Sequence, residues 1–245
     1  MKVVIIGRGR LATNLEQALL KAGHQVTSVN SRTLEGLPPV ADVFVVAVAD
    51  AALTDVLRAA TKGRHDQLFV HTAGSMPMDV FRGLTSRYGV FYPMQTFSKE
   101  RLVDFNDISL FLEANSDASM ERMKMLAATL SPHVFELDSE GRRHLHLAAV
   151  FACNFVNHCY ALSAEVLKAR ELPFSVMLPL VDETARKVHE LAPAEAQTGP
   201  AVRGDHNVMA MQVTMLADSP GVRHIYEVLS TDIQRLADQS PTIND

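Results

Sequence analysis

The strongest constraint on the fold lies at the N-terminal end. A β-branched run, Lys2–Ile6, leads straight into Gly7-Arg8-Gly9-Arg10-Leu11-Ala12. Beyond it, apolar residues recur at Leu11, Leu15, Ala18, Leu19 and Ala22, a helical spacing closed by Gly23. A glycine-x-glycine-x-x-alanine sequence between strand and helix has specific uses. Gly7 permits a tight turn off the strand, and Gly9 lets the backbone approach a pyrophosphate with no Cβ in the way. Ala12 lets helix and sheet pack closely, and the first turn of the helix offers unpaired N–H groups to an anion. The plainer alternative is a tight strand-to-helix turn with no ligand.

The alternation continues. Strands are expected at 25–30, 43–49, 67–73, 89–94, 108–114 and 133–137, and helices at 50–60, 78–88 and 116–130, with Asp50 and Ser116 as N-caps. The run 43–49 is apolar throughout, as in a strand covered on both faces. After Asp138 no strand is expected. Helices are predicted at 144–170, 175–191, 204–216 and 221–239, punctuated by Pro173, Pro193, Pro200 and Pro220. The expected fold is an α/β Rossmann-like dinucleotide-binding domain over 1–138, its sheet mostly parallel, followed by an all-α substrate and dimerisation domain over 139–245.

The second expected strand ends at Asn30, about 20 residues past the glycine loop, where NAD sites carry an acidic residue for the ribose 2′-hydroxyl. This chain has Asn30-Ser31-Arg32-Thr33 instead. A carboxylate would repel a 2′-phosphate, whereas Arg32 can pair with it and Ser31 and Thr33 can donate hydrogen bonds. NADP(H) is therefore the expected cofactor. Gly7, Gly9, Arg10, Leu11 and Ala12 would hold its pyrophosphate. In open α/β sheets ligands sit beyond the carboxyl ends of the strands. That places Ala49 and Asp50, then Thr72, Gly74 and Ser75, then Gln95 along the path of the nicotinamide.

Four residues are candidates for the chemistry. His71 can act as an acid or bind substrate, because histidine titrates near neutrality, or it can be purely structural. In the helical half, positions 146, 150, 154 and 157 share one face at about 100° per residue, so His146 and Asn154 either face a cleft or bond to a neighbouring helix. Arg203 can clamp a substrate anion or simply pair with Asp205.

Other classes are disfavoured. The formal charge is 23 − 28 = −5, which leaves no basic excess for a nucleic-acid backbone. Cys153 and Cys159 fit buried thiols in a reducing compartment, not a disulfide framework. The apolar runs 43–49 and 147–153 fall far short of the ~20 residues of a membrane span, and the N-terminal run is too short for a signal peptide. A cytoplasmic protein with no membrane partner is expected. Neither a metal-ligand spacing nor a serine nucleophile elbow occurs.

The glycine loop, the Asn30-Ser31-Arg32 turn and the helical second half resemble the 6-phosphogluconate dehydrogenase-like superfamily. More narrowly, Tyr92-Pro93-Met94-Gln95-Thr96-Phe97-Ser98 and Gln197-Thr198-Gly199-Pro200-Ala201-Val202-Arg203-Gly204-Asp205 resemble a bacterial family that joins a Rossmann-like domain to a helical domain of unknown function. Its members commonly carry the label NADP oxidoreductase, some by likeness to deazaflavin-dependent reductases. The resemblance implies NADP binding and, by analogy, a homodimer built through the helical domain, but no mechanism; the leading expectation is an NADPH-dependent reductase that transfers hydride to a small carbonyl or imine. Hydroxyacid dehydrogenases of the superfamily place a catalytic lysine and asparagine on the first long helix after the Rossmann domain. Here 144–167 contains no lysine, and Asn154 or Asn157 matches the asparagine. A non-catalytic NADP(H)-binding sensor is the second reading.

Overall fold

The computed structural model describes residues 1–239. Residues 240–245 of the expected helical domain lie outside the described residues. The chain divides into two compact units, Met1–Val156 and Asn157–Asp245.

The first unit is built on a seven-stranded sheet in the order β2-β1-β3-β4-β5-β6-β7. The strands are β1 (Lys2–Ile6), β2 (Gln25–Val29), β3 (Val43–Val46), β4 (Leu68–His71), β5 (Arg87–Met94), β6 (Ser109–Ala114) and β7 (Val134–Glu136). All neighbours pair in parallel except β5 and β6, which run antiparallel with Tyr92 opposite Phe111. The helices are α1 (Arg10–Lys21), α2 (Asp50–Ala60), α3 (Asp117–Ala127) and α4 (Ser139–Ala149). Alternate residues of the central strands feed two cores. Val3, Ile5, Val43, Val45 and Val70 pack toward one side with Leu15, Leu19, Met123 and Leu126, while Val4, Ile6, Phe44, Val46 and Phe69 pack toward the other with Leu53 and Leu57. Both faces of β3 are therefore covered, which is why its sequence is apolar without alternation.

The expected helix over 78–88 does not form. Only a 3-10 turn, Met78–Phe81, follows Pro77, and β5 begins at Arg87. Gly83 takes a φ of +78°, which ends helical progress and turns the chain into the strand. Ser116 caps α3 as expected, its hydroxyl accepting from the Ser119 N–H at 3.3 Å. Asp50 does not cap α2. The cap position is Ala49, and Asp50 is the first helical residue.

The strands end at Glu136, so the change to helix falls where the sequence places it. Compactness divides the chain later, after Val156, because α4 is tied into the sheet unit. The tie is Arg142, 1% exposed, whose guanidinium bonds to Glu113 on β6 at 2.5 Å and to the Met76 carbonyl at 2.6 Å. Ser139 completes the joint, donating to Glu113 at 2.7 Å and accepting from the Met78 N–H at 2.9 Å.

Beyond α4 the chain stays helical through a π-helical segment, Val150–Phe155, into α5 (Val156–Lys168). The continuous helix Ser139–Lys168 has 30 residues and contains an 18-residue stretch of mean hydropathy 1.3, none of it buried. By length and composition it is the one candidate membrane span among the described residues, where the sequence reading expected none. Its apolar runs are short because polar residues interrupt a helix whose average is still apolar. The second unit contains the rest of α5, then α6 (Leu178–Glu190), α7 (Pro200–Arg203), α8 (His206–Met215) and α9 (Pro220–Gln239). Pro200 opens α7, and Gly204, at a φ of +68°, ends it.

Candidate functional site

Gly7 leaves β1 with its N–H bonded to the Val29 carbonyl at 3.0 Å. Its φ is +139°, and a Cβ there would lie 2.1 Å from the Ala47 carbonyl oxygen, so no other residue fits. Gly9 is different. Its φ is −78°, it stands at the N-cap of α1, and no side chain caps that helix. A Cβ on Gly9 would meet nothing within 4 Å, so the space over the helix N-terminus is open. Unpaired N–H groups, the positive end of the helix dipole and an open approach together form an anion cradle.

A cavity of about 710 Å³ opens on this cradle. Its wall takes Gly7, Arg8, Gly9, Arg10 and Leu11 from the loop, Ser31 and Arg32 from the end of β2, Ala49 and Asp50 from the start of α2, Thr72 and Gly74 from the end of β4, Tyr92 and Gln95 from the end of β5, and His146 from α4. The Asn30 side chain accepts from the Arg32 N–H at 3.0 Å and shapes the turn that presents Arg32. Three expected cofactor residues do not line the cavity. Thr33 spends its hydroxyl on its own turn, accepting from the Glu35 N–H at 3.4 Å. Ala12 is buried, 3% exposed, in the helix-to-sheet contact. Ser75 donates instead to the Asp50 carboxylate, binding the β4 end to the start of α2.

A second cavity of about 620 Å³ shares Arg10, Leu11, Tyr92, Gln95, Phe97 and His146 with the first. Its remaining wall is mainly the Met94 side chain and the α4 and π-helical face formed by Leu145, Ala148, Ala149, Ala152, Cys153 and Asn154. The face differs from the expected one. Ala149, not Val150, shares it with Asn154, because the π segment places residues five apart, not four, above one another. Cys153 is partly exposed on this wall and Cys159 is exposed, so the expectation of buried thiols fails.

Tyr92 and His146 meet in the wall common to both cavities. The Tyr92 hydroxyl lies 3.1 Å from His146 Nδ1, with the rings edge to face at 6.1 Å between centroids. Burial raises the Tyr92 phenol above its usual pKa, against a smaller opposing pull from Arg142. The phenol therefore keeps its proton near neutrality, and its hydroxyl stands within hydrogen-bond distance of His146 Nδ1, with the donor set by the imidazole tautomer. Gly74 makes the pair possible, since a Cβ there would lie 2.7 Å from His146 Nδ1. The sequence reading missed Tyr92 as a partner. The two residues are 54 positions apart, and only the Tyr92-Pro93-Met94-Gln95 motif pointed to this strand end.

His71, within the same unit, does not join this site. His71 is fully buried, stacked on Phe81 at 5.6 Å between centroids. Its Nδ1 accepts from the Ala73 N–H at 3.1 Å, and its Nε2 faces the Pro77 carbonyl at 3.4 Å. Burial, reinforced by Arg142, lowers its pKa to about 4, so it is a neutral brace under the 72–77 turn and no proton donor. Arg203 lies in the second unit, where its guanidinium pairs with Asp205 at 2.8 Å. Among the described residues, no group of three or more His, Cys, Asp or Glu could hold a metal ion.

The chain was compared with known proteins. It matches, at 48% identity and a TM-score of 0.90 over 96% of its length and 98% of the other, the crystal structure of a Bacteroides fragilis protein provisionally named an NADP oxidoreductase. A Thermotoga maritima protein is similar in fold at 20% identity, with a TM-score of 0.77 over 96% of this chain and 99% of that one. An imine reductase from Myxococcus stipitatus in complex with NADP+ shares the fold at 16% identity, with a TM-score of 0.69 over 97% and 94% of the two chains. No curated protein matches. Residues 108–233 match the family described as a domain of unknown function, DUF2520. These residues run from β6 into α9 and so include the helix that carries His146 and Asn154. With this match over just more than half of its length, the chain belongs to the DUF2520 family.

Proposed function

We propose that this protein is an NADP(H)-dependent reductase that transfers hydride to the carbonyl or imine carbon of a small molecule. The observation that carries the reading is the Tyr92–His146 pair in the wall shared by the cavity over the glycine cradle and its apolar neighbour. The chain has what the dinucleotide needs. The uncapped N-terminus of α1 and the open side of Gly9 suit a pyrophosphate, with Arg8 and Arg10 beside it. Ser31 and Arg32 suit a 2′-phosphate. Ala49, Asp50, Thr72, Gly74 and Gln95 would border the nicotinamide end. The bound cofactor would supply the hydride, two electrons to the substrate carbon, as the substrate's double bond opens. An imidazolium at His146 would give the proton to the oxygen or nitrogen and be left as the neutral ring, to be reprotonated from solvent, with Tyr92 holding the ring and Asn154 orienting the substrate. The provisional name of the Bacteroides relative and the NADP+ complex of the imine reductase support the cofactor assignment. A place near the 6-phosphogluconate dehydrogenase-like superfamily, and deazaflavin as an electron partner, belong to this reading on the sequence motifs alone.

The same reading includes a homodimer. The described part of the second unit exposes Leu180, Met211, Met215 and Val228, and the helix before it exposes Phe151 and Phe155. A second copy is the occupant we assign to these faces.

Titration of NADPH and NADH, monitored by fluorescence of the reduced nicotinamide, tests the cofactor assignment. Wild type is expected to prefer NADPH, and Arg32→Ala to lose that preference. Equal affinities in wild type would remove the argument from Ser31 and Arg32. The absence of lysine from 144–167 favours the second reading, a non-catalytic sensor. NADPH oxidation with a panel of ketones and cyclic imines decides between the two. Tight binding with no turnover of any member supports the sensor.

A further inference from the structure

We propose that the cavity beyond the Tyr92–His146 wall selects an uncharged, largely apolar carbonyl compound, a ketone or aldehyde carrying a ring or branched chain, over oxo acids and iminium ions. This rests on the reductase reading and gives that site its substrate class.

The argument is one of charge and shape. Leu11, Met94, Phe97, Leu145, Ala149 and Cys153 make an apolar wall. Among the described lining residues there is no Asp, Glu or Lys. The one permanent charge is Arg10, which also lines the cradle cavity, where the proposed pyrophosphate claims it. An oxo acid would set its carboxylate against methyl and methylene groups, although the rim at Ala148, Ala152 and Asn154 is exposed. An iminium ion would meet no carboxylate in this lining. A charge partly withdrawn from water with no partner is disfavoured, whereas a neutral carbonyl forgoes only hydrogen bonds with water. The cavity can replace those bonds. His146, with Nδ1 held by Tyr92, has Nε2 left for a ligand, and the amides of Asn154 and Gln95 share the wall.

Room for the carbon skeleton comes from the helix side. Ala148, Ala149 and Ala152 all line the cavity, so a single larger side chain there would fill the space a ring needs. The volume, about 620 Å³, falls within the usual range for small-molecule sites and leaves space for a bicyclic compound. Met94 on the opposite wall is unbranched and can adapt to different outlines.

Three probes of similar size and different charge test this: acetophenone, its oxo-acid counterpart phenylglyoxylate, and the permanently cationic N-methyl-3,4-dihydroisoquinolinium. Binding to the full-length protein saturated with NADP+ is read by saturation-transfer NMR, and turnover by NADPH oxidation. Acetophenone is expected to bind at least 100-fold more tightly than either charged probe. Ala152→Phe is expected to weaken it at least tenfold, and Ala149→Leu to do the same should Ala152→Phe fail to fold. The proposal is overturned if either charged probe binds as tightly as acetophenone, if acetophenone does not bind, or if it binds equally well to folded variants filled at Ala149 or Ala152. Selective binding of acetophenone with no NADPH oxidation by any probe would uphold the selection and count against the reductase reading, so the two fail separately.

Discussion

The two units of this chain differ in how they meet the hydrophobic requirement for folding. The sheet unit covers both faces of β1, β3 and β4 with side chains that are almost wholly inaccessible. Between Asn157 and Gln239, by contrast, only Ala201 and Ser230 are buried. The helices of this second unit leave Leu180 62% and Met215 72% exposed. The first unit holds its structure from within. The second leaves large apolar side chains exposed among its described residues.

The sharpest way to break this comparison is to damage the first unit from inside. Arg142→Met leaves Glu113 and the Met76 carbonyl without their partner and is expected to destabilise the sheet unit by about 3–5 kcal/mol. Hydrogen exchange of the sheet amides reads the effect, and unchanged protection would mean that the joint is dispensable. Acid should act on the same unit through His71. Its folded pKa of about 4 lies below the 6.5 of an unperturbed histidine, so the unfolded chain binds a proton over that interval and the folded chain does not. The stability His71 supports is complete above pH 6.5 and is lost as pH falls toward 4, a total of roughly 3 kcal/mol. Urea unfolding at pH 7 and pH 4.5 measures it, and His71→Gln should flatten the difference.

The next effect concerns chemistry, not folding. Tyr92→Phe keeps the ring packing and removes the hydroxyl from His146 Nδ1. Turnover is expected to fall about 10–10²-fold, equivalent to ~1.4–2.7 kcal/mol, with NADPH affinity unchanged. Equal losses in both would mark a packing defect. The smallest effect on the sheet unit sharpens the contrast. Leu180→Glu should change its urea unfolding by less than about 0.5 kcal/mol. In sedimentation, the same substitution should shift the protein from dimer to monomer. A variant that sediments like wild type would show that this face does not join two copies.

What the sequence made legible follows the same division. The strands that form the sheet centre read correctly because burial on both faces leaves an unbroken apolar run, as in Val43–Val46. Strand direction left no such mark, so the antiparallel β5–β6 pair was invisible. The false helix at 78–88 arose because residue spacing carried no signal that Gly83 adopts a positive φ. At the site, the glycine cradle was legible because its chemistry is local. The Tyr92–His146 pair was not, since it joins a strand end to a distant helix. His71 stayed ambiguous because its role depends on burial, which a lone histidine in a sequence does not report. Asn154 was placed on the wrong set of neighbours because the 3.6-residue period fails across Val150–Phe155.

That widened turn has a consequence for how the family can vary. A π turn is an α turn with one residue added, so losing a single codon between Val150 and Phe155 would restore ordinary helical winding. The change would swing Asn154 and Cys153 off their wall of the cavity while leaving Tyr92, His146 and the glycine cradle untouched. Ligand preference could thus be rewritten by length alone, without exchanging any side chain that handles the cofactor.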